Sequence, residues 1–138
     1  MAGWTCPACG RLFGRNKQSH DCAPAMTSDE YFATGPERER PIFDAVMRQL
    51  ERAGPVHPEF VSVGVFLKNP RKIAELRPMQ HWVAVSFSLN RRADHRTITR
   101  KVIPYGGRYF HVANVKTADD VDDALGDLLV EAYIDASN

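Results

Sequence analysis

Every thiol in the chain falls within TCPACGRLFGRNKQSHDC, residues 5 to 22, together with one imidazole. Cys6 and Cys9 form a C-x2-C knuckle in CPACG, whose turn lets both sulfurs face one point while Gly10 relieves crowding as the chain leaves. After a ten-residue spacer come His20 and Cys22. Three thiolates and one neutral imidazole make the closed Cys3His set that suits tetrahedral zinc, with no position left open for water. At this spacing the donors indicate zinc before an iron–sulfur cluster. The expected role is therefore structural: one Zn2+ per chain, held by Cys6, Cys9, His20 and Cys22.

Three cysteines cannot all pair as disulfides, and a clustered set in a reducing compartment more often holds metal. The pattern partly resembles the ββα finger, because Phe13 stands where that finger keeps its core aromatic. It departs at the second ligand pair. His20 and Cys22 are two residues apart, and side chains at that spacing do not share a helix face. A turn is expected there, without a groove-reading helix. Zinc with three thiolates carries a formal charge of about −1, which Arg11, Arg15 and Lys17 in the same loop can offset; phosphate contact is the other use for them.

The remaining elements must position this knuckle. Thr27 and Glu30 form a capping-box start for a short helix that Gly35 and Pro36 end. PIFDAVMRQLERAG places Ile42, Phe43, Val46, Met47 and Leu50 at helical spacing, with Pro41 in the first turn and Gly54 as the stop. Between residues 59 and 116 the period turns to two, in FVSVGVFL, KIAEL, WVAVSFSL, TITRKVI and RYFHVANV, separated by turn signals. The expectation is a five-stranded antiparallel meander. Thr117 is expected to cap a last helix with Val121, Leu125, Leu128, Leu129, Ala132 and Tyr133 along one side. The fold class is α+β, with helices flanking the sheet on both sides in sequence and a small zinc knuckle ahead of it.

The expected organisation is a knuckle over 1–26, a linker with a short helix over 27–40, and an α+β domain over 41–138. Residues 37 to 138 hold nearly all the periodic apolar positions and are expected to fold without the knuckle. With 43% hydrophobic and 25% charged residues in 138, the composition is that of a globular protein with a real core. No apolar run is long enough to cross a membrane, and the first residues lack a signal-peptide pattern. A cytoplasmic protein with no membrane partner is expected.

The formal net charge of +1 conceals a strong asymmetry. Residues 61 to 116 carry eleven basic side chains against two acidic ones, a net +9, whereas residues 117 onward carry seven acids and no base. Either the acidic helix and the basic segment shield each other, or a basic sheet face meets an anionic partner, nucleic acid being the plainest choice. The candidate anion-binding residues are Lys68, Arg71, Lys72, Arg91, Arg92, Arg96, Arg100, Lys101 and Arg108. A protein-interaction module using Trp4, Trp82 or the acidic helix is the alternative. Catalysis ranks third. The cysteines are committed to metal, there is no G-x-S-x-G elbow or phosphate-cradling glycine loop, and AELR around Glu75 lacks the lysine of a nuclease-type E-x-K. His95 and His111 alone lie near the basic strands as possible proton carriers, with no carboxylate partner close in sequence.

CPACGRLF with QSHDC, YFATGPERERPIFDAV, VSVGVFLKNPRKIAELRP, WVAVSFSL and DVDDALGDLLVEAYIDA together resemble a bacterial family known as domain of unknown function 5655, over nearly the whole chain. The resemblance implies a helix–sheet–helix core that other proteins fuse to different modules, restriction-type nucleases among them, with the knuckle added in a subgroup. It implies nucleic acid as a partner class and carries over no catalytic residue.

Overall fold

The structure, a computed structural model, describes residues 3–22 and 24–137. Residues 1, 2, 23 and 138, which fall within the expected 1–26 and 41–138 spans, lie outside the described residues. Strands β1 (Trp4–Thr5) and β2 (Leu12–Phe13) form a two-stranded ribbon around the knuckle. Helices α1 (Ser28–Phe32) and α2 (Glu39–Glu51) follow. A second sheet contains β3 (His57–Val61), β4 (Gly64–Lys68), β5 (Lys72–Pro78), β6 (Val83–Leu89), β7 (Ile103–Tyr105) and β8 (Arg108–Val115). A 3₁₀ turn at Ala118–Asp120 leads into α3 (Asp123–Ser137).

The architecture is α+β and antiparallel, but the large sheet has six strands, in the order β3-β4-β5-β6-β8-β7. Two features correct the five-stranded meander. FVSVGVFL is a hairpin: the chain reverses at Ser62 and Val63, pairing Val61 with Gly64. TITRKVI is mostly loop. Its only strand residue is Ile103, and it touches the sheet earlier through the Asn114 N–H, which donates to Thr97 O at 2.9 Å. The loop is instead held by its polar side chains, described below. Because β8 pairs with β6, the β7–β8 hairpin lies with β7 outermost. Its two-residue turn, Gly106 and Gly107 at φ 57° and 82°, uses backbone that residues with a Cβ adopt poorly.

The helices cover one face of this sheet. Ile42, Val46 and Leu50 of α2 and Leu125, Leu129 and Ala132 of α3 are fully buried with Val85, Leu76, Leu67 and Leu89. Alternation along β6 is complete: Val83, Val85, Phe87 and Leu89 are buried, while Ala84, Ser86 and Ser88 are half-buried on the opposite face. The capping box joins Thr27 and Glu30 as their spacing requires. Thr117, however, caps only the 3₁₀ turn, with Asp120. Asp122 starts the long helix, its carboxylate accepting from Leu125 N–H at 2.9 Å. The helix begins only at Asp123, beyond the reach of the Thr117 hydroxyl, so the N-cap falls to the Asp122 carboxylate.

Candidate metal centre and basic surface

The ribbon and the loop that returns to it bring all four expected ligands together. Cys6, Cys9, His20 and Cys22 place their ligand atoms within 4.8 Å of one another. The Cys6 and Cys22 sulfurs are 3.9 Å apart, and His20 Nε2 stands 3.4 Å from Cys9 Sγ and 3.2 Å from Cys22 Sγ. Zinc bound at about 2.3 Å from sulfur and 2.0–2.1 Å from nitrogen makes tetrahedral edges of about 3.8 Å between sulfurs and 3.5 Å between sulfur and nitrogen. The four donors therefore fit a tetrahedral ion.

The surroundings orient the donors. His20 Nδ1–H donates to Gln18 O at 2.6 Å, which leaves the Nε2 lone pair for a metal. Its ring stacks on Phe13 with centroids 4.0 Å apart, and Trp4 meets it edge-on. Phe13 thus acts as the knuckle's core aromatic. The knuckle turn closes through Gly10 N–H to Cys6 O at 2.8 Å and Cys6 N–H to Arg11 O at 2.9 Å. Burial opposes ionisation of Cys6, but hydrogen bonds from the backbone of Cys9 and Ala8 bring its thiol down to about 6. Its hydrogen bond with Cys6 pushes the Cys22 thiol up.

The knuckle is fastened to the sheet by a buried charge cluster that no local sequence pattern announces. Glu59 of β3 is 2% exposed. It accepts from Arg11 Nε at 3.2 Å, from Leu12 N–H at 2.5 Å and from Lys68 Nζ at 2.8 Å. Lys68 also donates to Leu12 O at 2.8 Å and lies 4.1 Å from the Phe13 ring centre. Burial disfavours the Glu59 carboxylate, but Lys68, the Leu12 N–H and Arg11 outweigh it and hold the carboxyl below its usual range. Burial lowers Lys68, with Glu59 compensating only in part. Gly3 and Gly14 complete the contact, since a Cβ at either would come within 2.9 Å of Pro70 or 3.0 Å of Arg71.

Several of the nine candidate anion-binding residues have partners within the chain. Lys68 is spent inside the cluster. Arg91 clasps Glu131 through two hydrogen bonds of 2.8 and 2.7 Å, and Arg96 meets Asp120 at 2.9 Å. Arg108 donates to Asp135 O at 2.7 Å, near the end of α3. For Arg91 and Arg96 the acidic C-terminal segment and the basic segment shield each other. Arg92 donates to Val102 O and packs over Tyr109. Arg100 and Lys101 are exposed in the loop after β6, with no partner among the described residues. Arg71 and Lys72 border a groove beside the knuckle.

Both candidate histidines are engaged internally. His111 is fully buried and stacked parallel to Phe87. Its Nδ1–H donates to Tyr109 O at 2.8 Å, and Nε2 accepts from Ala93 N–H at 3.0 Å. His95 finds a carboxylate 27 residues away, Asp122 Oδ1 at 2.8 Å from Nε2, while Nδ1 meets Thr97 Oγ1 at 2.7 Å. With the ring 5% exposed, this pair fastens the 90–102 loop to the start of α3 and leaves no ring atom for a substrate. Burial and the nearby Arg91 and Arg92 charges lower the His111 pKa, with Glu131 opposing. On acidification below about 6.5 the unfolded chain therefore takes up this proton first, and stability falls. Chemical denaturation at about pH 7 and pH 5 should show a smaller drop for His111→Gln than for the unchanged chain; an equal drop would remove His111 as its source.

These features define an α+β domain carrying a closed Cys3His cluster on its sheet edge. A model of the family described as Domain of unknown function (DUF5655) matches residues 28–136, and the chain belongs to that family. The match begins after the last cluster ligand. No curated protein and no solved structure matches the chain. Among the described residues, no helix is long and apolar enough to cross a membrane.

Proposed function

We propose that the chain is a non-catalytic binding module, ordered at its N-terminus by one zinc ion on Cys6, Cys9, His20 and Cys22, whose ligand is anionic and best matched by nucleic acid. The observation that carries this reading is where positive charge is left over. Arg15 and Lys17 in the knuckle loop, and Arg100 and Lys101 after β6, are exposed and have no acidic partner among the described residues. Asp127, Glu131, Asp122 and Asp120, around α3, are engaged with Arg52, Arg91, His95 and Arg96 instead. With its four protein donors the metal site has no open position, so its contribution is shape.

Labelled single-stranded and duplex oligonucleotides titrated at two salt concentrations test the reading. Three to five phosphate contacts give a log–log salt slope of roughly −2 to −4.5, depending on strandedness. Binding weaker than about 100 μM in low salt, the ordinary level of non-specific binders, would defeat it. The second reading is a protein partner. It draws on the outermost strand β7, where Ile103 and Tyr105 are 54% and 82% exposed, and it takes the first reading's place if neither oligonucleotide binds.

A further inference from the structure

We propose that the groove between the knuckle and the sheet is a nucleotide site, taking a base against its aromatic floor and a phosphate on its cationic rim. The proposal rests on the anionic-ligand reading above and adds the place and the chemistry. The groove encloses about 490 Å³, within the roughly 300–1,000 Å³ of small-ligand sites. Gly14, Arg15 and Gln18 of the knuckle form one wall; Arg71 and Lys72, at the turn into β5, form the other.

The groove combines two kinds of surface that simple anions do not use together. Phe66, with Phe13 beside it, lies along the floor, and Arg11, Lys68 and Lys72 stand 5.2, 5.9 and 5.7 Å from the Phe66 ring centre. No carboxylate lines it. Glu59, the counter-charge beneath, is buried and already divided among Arg11, Lys68 and the Leu12 N–H. Lys72 pairs at 3.2 Å with Glu75, a carboxylate 15% exposed that it shares with Arg77 at 2.8 Å, and Arg15 has no acidic partner among the described residues. Positive charge in excess of the internal pairing therefore faces the groove.

Inorganic phosphate would satisfy the rim and leave the apolar floor wet, whereas an apolar ligand would leave the cations unpaired. A nucleotide satisfies both, because every base has a π-face that stacks on aromatic and guanidinium groups while its phosphate meets Arg and Lys. Gln18 Oε1 accepts from Arg15 N–H at 3.3 Å, which leaves its NH2 group to donate to a base edge. A free mononucleotide and one unit of a single strand present this chemistry equally. A duplex hides its base faces. Since the knuckle is one wall, the groove keeps its shape only while the knuckle is folded.

Fluorescence anisotropy of the full chain with labelled oligothymidylate in low salt tests the site. Arg15→Glu combined with Lys72→Glu should weaken binding by about tenfold or more and flatten the salt slope by about 1 to 2. Arg48→Glu combined with Lys116→Glu, away from the groove and outside the candidate anion-binding residues, should leave affinity within about threefold, and both pairs are exposed, so the fold is kept. Displacement by adenosine monophosphate would assign a free nucleotide as occupant. Displacement only by unlabelled strand would assign single-stranded nucleic acid. Either result supports the site. If polyphosphate competes as well per phosphate as the strand does, no base occupies the groove and the proposal falls. If Arg100→Glu combined with Lys101→Glu, at the other leftover cations, removes binding while the Arg15 and Lys72 reversal does not, the groove is overturned and the anionic-ligand reading stands. If the unchanged chain binds no oligonucleotide, both fall.

Discussion

Purified in metal-free buffers, the chain should carry one equivalent of zinc, and Cys9→Ser should reduce this to well under about half an equivalent. The four donors supply a complete tetrahedral set, so losing one thiolate removes both a bond and the charge that holds the ion. Structural zinc in finger peptides binds with apparent free energies of about 10–16 kcal/mol near neutral pH, and where the site exists only in the folded state that energy is folding energy. Here it should be local. The main core of Ile42, Leu50, Val85, Phe87, Leu125, Leu129 and their neighbours contains none of residues 3–22; the knuckle has a separate cluster of Cys6, Cys9 and Phe13. Chelation should speed amide exchange in residues 3–22 by orders of magnitude while leaving α2, β6 and α3 protected. Undiminished zinc in Cys9→Ser would exclude Cys9 as a ligand. Simultaneous loss of protection in α2, β6 and α3 would show that the knuckle belongs to the main cooperative unit.

Glu59→Ala should destabilise the zinc-loaded chain by about 3–5 kcal/mol, because it leaves Arg11 and Lys68 buried without their counter-charge. The two cations are 7% and 5% exposed, so water cannot replace the lost carboxylate without opening the joint. For a chain of this size that amounts to a fall in melting temperature of roughly 10–20 °C. Changing Glu59, Arg11 and Lys68 together to apolar residues of similar size should cost much less than Glu59→Ala alone, since the penalty comes from unpaired charge. The acid side follows from the carboxyl's lowered pKa. Its contribution is complete above the unfolded value of about 4.3 and is lost as pH falls through the lower folded value. Thermal melts of the two variants decide the matter: a Glu59→Ala loss below about 1 kcal/mol would place the cluster among solvent-screened pairs.

How much of this was legible in advance depended on the distance over which each interaction acts. The capping box at Thr27 and Glu30, the apolar stripes of α2 and α3, and the in–out alternation of β6 follow from backbone periods of a few residues. The Cys3His set was legible for a similar reason: few residue types bind metal strongly, and all four lie within seventeen residues. Family membership also shows in sequence alone, across residues 28–136. Composition and local spacing carry no information about which charge meets which. Lys68 sat in the basic segment like its neighbours, yet β3–β4 register sets His57 opposite it and brings Glu59 beneath the knuckle, turning a surface candidate into an internal tie. Arg91 and Arg96 were likewise spent on acids 40 and 24 residues away. The strand count failed at FVSVGVFL, which reverses at Ser62 and Val63 into two strands. The fourth strand was displaced because the His95–Asp122 and Arg96–Asp120 contacts hold residues 95–102 as a loop despite their β-branched content. The groove is the furthest from sequence, because its walls come from two segments more than fifty residues apart. Charge pairing and concavity are long-range in sequence and short-range in space, so only the packed chain could decide them.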